Sequence, residues 1–529
     1  MHNRLQNHLK NLLLPCLLLS AATGIFSALL VTAFKVLSEW VVHLCTLVYA
    51  AVRTNPAYLP LLILGAAAIG LAASLLLSVS NSCRGGGIPT SVAAIRGIVS
   101  FRWGASVLLL PVSALLTFLA GLPLGTEGPC VQMGTAVGDG VIQCVGKKKH
   151  GGWRRYMMSG GASAGFSVAT VSPISAIVFS IEELHKHFSP LLLSVVSVSV
   201  MTAQITMRAL SAIGIGDTVF FSIPTLPTIA PTLFFAPVCI GLVCGLCSIL
   251  FTRLYHLIDH LMRRALHAIP DKIVFSVLFS LISVVGFFLS DTLGAGHSLI
   301  SALLYDRGAW YLLILVFLIR AVGMMVSNTS GVTGGVFLPT LAFGAIIGSL
   351  CAQGMIALGW IGAEHYTLLV VLGIASFLGA TSRIPMTASI FAMEGLGAMG
   401  NALPVVIATT VALFTVEASE VEDLTDTIID IKLHKITKGK QPVEVEATLS
   451  AEPNSFVIGK QMRDVLWPNS CVVVSYLPTE GAREHLGISV GDRITVRYTT
   501  YDPAATIEQL VALVGEQSTD TLQRMHPLS

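Results

Sequence analysis

Glu127 is an acid placed where burial is expensive. It follows a charge-free run from Gly104 to Thr126 and stands inside the breaker Gly125-Thr126-Glu127-Gly128-Pro129. An ionisable side chain in an apolar, membrane-length segment marks a functional site, because moving it out of water costs free energy. The breaker recurs 210 residues later as Gly335-Val336-Phe337-Leu338-Pro339, and Gly134 and Gly138 recur as Gly344 and Gly348. A duplicated helix-breaking segment in a membrane chain is the mark of an ion site built from interrupted helices.

The residue types around Glu127 select the chemistry. Glycine lets a ligand approach the main chain closely, and proline suits the first turn of a helix. Each breaker therefore reads as a loop followed by a helix start. A helix N-terminus presents free N–H groups and a partial positive charge, which together hold an anion without a full cation. Gly85-Gly86-Gly87-Ile88-Pro89 supplies a third turn of this kind. Gly86, Gly87, Ile88, Gly128, Val336 and Phe337 are thus the candidate anion contacts. A carboxylate at Glu127 would compete with the anion for the same N–H groups; protonated, it can swing aside. One residue then serves as gate and proton carrier.

The elements that must position these residues follow from composition. The chain has 529 residues, of which 54% are hydrophobic and 11% charged, with a mean hydropathy of +0.79. Soluble domains carry about 25% charged residues. Further charge-free runs extend from Asn11 to Phe34, Thr54 to Cys83, His187 to Met207, Thr218 to Thr252, Ala321 to Ala363, Tyr366 to Ser382 and Gly395 to Val416. About 20 apolar residues cross a bilayer as a helix. The chain is an all-α polytopic membrane protein, expected in the cell membrane. Arg4 and Lys10 favour a cytoplasmic N-terminus. No run supplies a potassium carbonyl filter or a nucleotide-phosphate loop. The ten cysteines include Cys244-x-x-Cys247, without a second pair or histidines to complete a metal site. No metal, cofactor or nucleic acid is expected, and no enzyme activity.

Three blocks repeat at nearly constant offset: Gly85 and Gly87 as Gly294 and Gly296, Gly125 to Pro129 as Gly335 to Pro339, and Pro173 to Glu182 as Pro385 to Glu394. The membrane part contains two related halves. Glu182 and Glu394 are equivalent in them and read as symmetric structural caps or buried hydrogen-bonding groups. Gly161-Ala162-Ser163-Ala164-Gly165 matches a nucleophile elbow, but its small residues suit close helix packing. A hydrolase using Ser163 is the alternative from another class. His297 reads as a loop histidine, and Arg383 as a partner for helix-end carbonyls or an acid.

Near Val416 the composition changes, with six acids between Glu417 and Asp430. Residues 1–435 form the transmembrane domain and 440–529 a small α/β domain. In the latter, Val443–Leu449, Cys471–Tyr476 and Ile494–Thr500 read as strands, Gly459–Leu466 as a short helix, and Ala504–Val514 as a helix.

The three glycine motifs resemble, in order and spacing, the signatures of the CLC chloride channels and transporters over about residues 10 to 435. The resemblance implies two inverted halves, a homodimer with one pathway per subunit, and an anion held by the amides of Val336 and Phe337. Glu127 matches the family's gating glutamate. Glu183 matches the inner proton-transfer glutamate of its proton-coupled exchangers, which favours chloride/proton exchange over passive conduction. Thr425 takes the place of the family's inner tyrosine, Gly86 that of a serine, and Thr126 that of a basic residue. These departures leave the preferred anion open, fluoride included. Residues Val457–Lys460, Trp467-Pro468 and Val490–Ile494 resemble the C-lobe of RCK regulators (the TrkA-C type). That likeness implies a cytoplasmic dimer module that binds a small regulatory ligand.

Overall fold

The structure is a computed structural model that describes residues 14–99, 101–266, 269–437, 442–453, 455–468, 471–479, 487–501, 503–515 and 524–527. Arg4 and Lys10 lie outside the described residues. The first half holds helices α1 (Leu14–Thr54), α2 (Leu59–Val79), α3 (Ile88–Ile95), α4 (Trp103–Leu119), α5 (Glu127–His150), α6 (Arg154–Thr170), α7 (Pro173–Phe179) and α8 (Pro190–Ala212). The second holds α9 (Phe235–Leu266), α10 (Asp271–Phe288), α11 (His297–Tyr305), α12 (Trp310–Ser330), α13 (Phe337–Ala357), α14 (Tyr366–Thr381), α15 (Pro385–Glu394) and α16 (Ala402–Glu417). Helix α17 (Leu424–Thr437) follows the second half. Helix for helix, α9–α16 repeat α1–α8.

Proline sets several starts. It occupies the first position of α7, α8 and α15 and the second of α3, where its missing N–H costs nothing. Among the described residues nine helices are long and apolar enough to cross a membrane. They differ in surroundings. The span ending at Thr381 is 83% buried, whereas Pro56–Val79 is 28% buried. A helix apolar all round must face either lipid or other helices; α14 is a central helix and α2 a peripheral one.

The halves meet through reciprocal contacts. Gly125 N–H donates to the Gly335 carbonyl at 2.7 Å, and Gly335 N–H to the Gly125 carbonyl at 2.8 Å, as an isolated antiparallel bridge. Glu182 accepts from the Met386 and Thr387 amides at 3.1 and 2.7 Å, capping α15. Its equivalent Glu394 accepts from the Ile174 and Ser175 amides at 3.1 and 2.9 Å, capping α7. When equivalent residues swap partners in this way, a two-fold axis relates the units. The antiparallel bridge joins the two breakers on that axis. The caps are those expected of Glu182 and Glu394.

Close packing inside each half is also duplicated. A methyl on Gly134 would come within 2.0 Å of the Gly161 carbonyl oxygen, and one on Gly373 within 2.5 Å of the Gly344 oxygen. Helices α5 and α6 thus touch backbone to backbone, as do α13 and α14. The small residues around Ser163 serve this contact. Ser163 Oγ is buried and meets no hydrogen-bond partner among the described residues, so the elbow has no base beside it. Arg383 binds the Val421 carbonyl and pairs with Glu417 at 3.1 Å. His297 opens α11 and bonds the Phe220 carbonyl at 3.0 Å through Nε2.

The C-terminal domain is an antiparallel sheet in the order β2-β3-β1-β4, made of β1 (Val443–Ser450), β2 (Cys471–Leu477), β3 (Arg493–Thr500) and β4 (Arg524–Pro527), with helix α18 (Pro503–Val514). Val445, Ala447 and Leu449 alternate into a core shared with Ile494, Val496, Leu510 and Val514. The helix expected over Gly459–Leu466 is reduced to one 3-10 turn, Met462–Asp464. The reason is tertiary: Gly459 takes a left-handed φ of 76°, and Gly459 and Lys460 pair their backbones with Ile488. The domain rests on the start of α6. Arg155 donates to the Leu466 carbonyl at 3.0 Å and to Gln509 at 2.5 Å, and Phe456 packs edge-on against Trp153 at 5.2 Å.

Two predictions follow from these contacts. Glu182→Ala removes three hydrogen bonds from the start of α15 and will destabilise the purified protein by about 1–3 kcal/mol, read as a lower midpoint in a thermal melt. Lys460 lies 3.7 Å over the Phe456 ring, and burial pulls its pKa from 10.5 down to about 8. The unfolded chain therefore holds the extra proton between those values, and stability must rise as pH increases from about 8 to about 10.5. Lys460→Met will flatten that slope.

Candidate functional site

Four helix starts converge on one cavity of about 20 Å³, lined by Ile88, Pro89, Phe179, Glu183, Val336, Phe337, Thr340, Ser382, Ile384, Leu424 and Thr425. This is room for a water-sized species. Ile88 begins α3, Phe337 begins α13, Leu424 begins α17, and Ile384 precedes α15. The starts are not equivalent electrically. Glu182 caps α15, and Asp423 caps α17 by accepting from the Asp426 amide at 2.7 Å. Among the described residues no side-chain acceptor stands on the Ile88 amide at the start of α3 or on the Val336 and Phe337 amides at the start of α13, although Gln132 takes the Gly87 amide that precedes α3. The amide ends of these two helices keep their partial positive charge directed at the cavity.

The breakers make this geometry possible. A methyl on Gly128 would lie 2.6 Å from the Gly335 Cα, and one on Gly87 would lie 3.2 Å from the Gly128 Cα. The three loops are pressed together at glycine, at distances that leave no space for side chains. Gly87 also has φ of 129°, a conformation that strains other residues. Its amide donates to Gln132 Oε1 at 2.7 Å, so this N–H is spent inside the protein. Gly86 packs beneath the loop, where an added methyl would meet Leu110 at 2.7 Å and Gln132 at 3.0 Å.

Of the residues singled out in the sequence, Ile88, Val336, Phe337, Glu183 and Thr425 share the cavity. Gly86, Gly87 and Gly128 shape the loops behind it and are not among its lining residues. Glu127 also lies outside that lining, as the first residue of α5, and is buried. Its Oε1 accepts from Thr126 Oγ1 at 3.0 Å. Its Oε2 finds no donor among the described residues, and lies 2.7 Å from where a Gly125 Cβ would stand, beside Leu338 in the first turn of α13. The carboxylate thus abuts the first turn of α13.

At the other end, Glu183 accepts a hydrogen bond from Thr425 Oγ1. Its second oxygen is buried and unsatisfied among the described residues. It sits in a π-helical turn, Ser180–His185. Arg96 holds that turn by donating to the Glu183 carbonyl at 3.0 Å. Arg96 pairs with Asp426 at 3.0 Å, and Lys186 with Asp423 and Asp426 at 2.8 Å each. Sequence reasoning missed this network. The one signal for it was the acidic run after Val416, which reads as a domain boundary but also supplies Asp423 and Asp426. A row of rings closes the cavity's apolar side: Phe166 stacks on Phe179 at 4.7 Å and meets Phe337 edge-on at 5.2 Å, and Phe337 meets Phe391 at 5.8 Å.

The arrangement directs helix dipoles at the cavity, with Glu183 in its lining and Glu127 behind it. The voltage gated chloride channel family matches residues 69–417. The H(+)/Cl(-) exchange transporter ClcA of Klebsiella pneumoniae (strain ATCC 700721 / MGH 78578) is 26% identical over 404 residues, 74% of this chain and 84% of that protein. ClcA of Yersinia pseudotuberculosis serotype IB (strain PB1/+) is 25% identical over 411 residues, 75% of this chain and 84% of that one. Among solved structures, a slow cyanobacterial Cl−/H+ antiporter superposes with a TM-score of 0.72 at 20% identity, over 79% of this chain and 98% of that one. A CLC-type fluoride/proton antiporter does so with 0.62 at 22%, over 76% and 95%. With two thirds of its length matched in this way, the chain belongs to the voltage gated chloride channel (CLC) family.

Proposed function

We propose that this protein exchanges chloride for protons across the cell membrane, with Glu127 as the gate and Glu183 as the inner proton acceptor. The observation that carries the reading is the contrast between helix ends. The starts of α7, α15 and α17 are neutralised by Glu394, Glu182 and Asp423, while the Ile88, Val336 and Phe337 amides at the starts of α3 and α13 meet no side-chain acceptor among the described residues. An anion among the amides of Ile88, Val336 and Phe337 replaces a missing cap. It is held by partial charges, firmly enough to be taken up and weakly enough to leave.

The two carboxylates divide the proton's work. Ionised Glu127, against the first turn of α13, competes with the anion for the same positive end. Protonation removes its charge, and the anion can take its place. Glu183 exchanges protons with the face that carries the C-terminal domain, which this reading places in the cytoplasm. Its unsatisfied oxygen provides the acceptor, and Arg96, Lys186, Asp423 and Asp426 hold its turn in position. Thr425 replaces a bulkier inner side chain and leaves its hydroxyl on Glu183 rather than on the anion. Gly128 and Gly87 contribute through close approach of the loops, Gly86 by making space for Gln132. The working unit is a homodimer. The C-terminal domain, of the TrkA-C kind, binds a small regulatory ligand and helps pair the subunits.

Reconstituted vesicles with simultaneous chloride and pH recording test the reading. The wild-type protein should drive protons against their gradient when chloride runs down its own; a reversal potential that follows chloride alone would indicate a passive channel. Glu127→Gln should reduce proton movement to background while chloride continues to flow, and persistent coupling in that variant refutes the gate assignment. Glu183→Gln should likewise uncouple protons, with chloride flux retained. Removing residues 440–529 should leave transport in place and alter assembly or regulation.

A further inference from the structure

Lys35 is a cation in the middle of α1, immediately after the charge-free run from Asn11 to Phe34. A lysine at that depth carries a large desolvation cost and calls for a partner. Its ammonium donates to the Val168 and Ala169 carbonyls at 3.3 and 3.2 Å, in the last turn of α6. No carboxylate lies within 4 Å of it among the described residues. Glu39, one turn further along α1, feels its field without forming an ion pair. Carbonyl dipoles at a helix C-terminus hold a cation in place but leave its full charge uncancelled.

The field of that charge is directed at the site. The electrostatic influence of Lys35 reaches Glu127, and also Cys130, one turn into α5, and His297 at the start of α11. Its mount is rigid relative to the gate: a methyl on Gly165 of α6 would lie 2.3 Å from the Cys130 carbonyl oxygen. His297 stacks on Phe221 at 4.4 Å, and Phe220 links through Phe391 to Phe337. Helix α6 fixes the sidedness. Arg155 near its start holds the C-terminal domain, Ser159 bonds His185 beside Glu183 at 2.7 Å, and its last turn holds Lys35. The lysine therefore stands at the Glu127 end, where residue 126, next to the gate, is a neutral threonine.

We propose that Lys35 supplies the full positive charge of the outer approach, drawing the anion toward the gate at a position on α1 rather than beside Glu127 in the loop. The inference rests on Glu127 being the gate. Its test separates binding from folding. In vesicles, Lys35→Gln can still donate to the α6 carbonyls but carries no charge. It should raise the chloride concentration for half-maximal flux about fivefold, with maximal flux per folded protein little changed, and Lys35→Arg should restore the wild-type value. Adding Thr126→Arg to Lys35→Gln should bring half-saturation back toward wild type without rebuilding the α6 contact. An unchanged half-saturation in Lys35→Gln, with or without a loss of folded protein, overturns the proposal and leaves Lys35 as a helix cap. So does a raised half-saturation that Lys35→Arg fails to restore. Glu127→Gln in the same series reports on the gate separately: if its protons stay coupled, the gate assignment fails, whatever Lys35 does to half-saturation.

Discussion

The pair of hydrogen bonds between Gly125 and Gly335 is the contact on which the site depends. It joins the two breakers antiparallel at the axis between the halves, so that α5 and α13 begin from a shared point. A methyl on Gly335 would fall 2.6 Å from the Gly128 amide nitrogen. With side chains there, the loops would separate, the helix starts would move apart, and the cavity they enclose would lose its ring of amides. The glycines are therefore a condition of the electrostatics as much as of the packing.

Duplication explains how such a loop survives inside a membrane protein. Interrupted helices leave amides unsatisfied, and in hydrocarbon each unsatisfied group costs several kcal/mol. The fold meets most of this cost with groups from the opposite half. Glu182 satisfies α15 and Glu394 satisfies α7, across the same axis. At α3 and α13 the Ile88, Val336 and Phe337 amides meet no such side chain among the described residues, and these are the amides proposed to hold the anion. In the proposed reading selectivity for negative charge comes from where caps are withheld, and the described lining of the cavity carries no lysine or arginine.

Charge is instead kept at the two ends. Arg96, Lys186, Asp423 and Asp426 neutralise one another around Glu183. Toward the Glu127 end stands Lys35, held by carbonyl dipoles of α6 and within the field of Glu39. Helix α6 spans both regions, with the C-terminal domain seated on its first turn. A change in that domain's docking would act on a helix that also carries Phe166, which packs on Phe179 and Phe337.

The sequence alone determined the membrane class, the two halves, the three breakers and the acids at 127 and 183. These are encoded locally, in runs of apolar residues, in glycine and proline spacing, and in the rarity of intramembrane charge. It also marked Glu182 and Glu394 as equivalent caps, because repetition is visible in a linear text. Only the tertiary structure decided which helix starts stay uncapped, that the Gly87 amide is spent on Gln132, and that Gly459–Leu466 is drawn onto Ile488 instead of coiling. It alone brought Lys35 to the last turn of α6 and Arg96 to Asp426, across separations of more than a hundred residues. A hydrogen bond between distant segments leaves no periodicity in either of them, since its partners are chosen by packing. A single lysine at the end of an apolar run is therefore indistinguishable, on sequence, from one that merely marks the run's end.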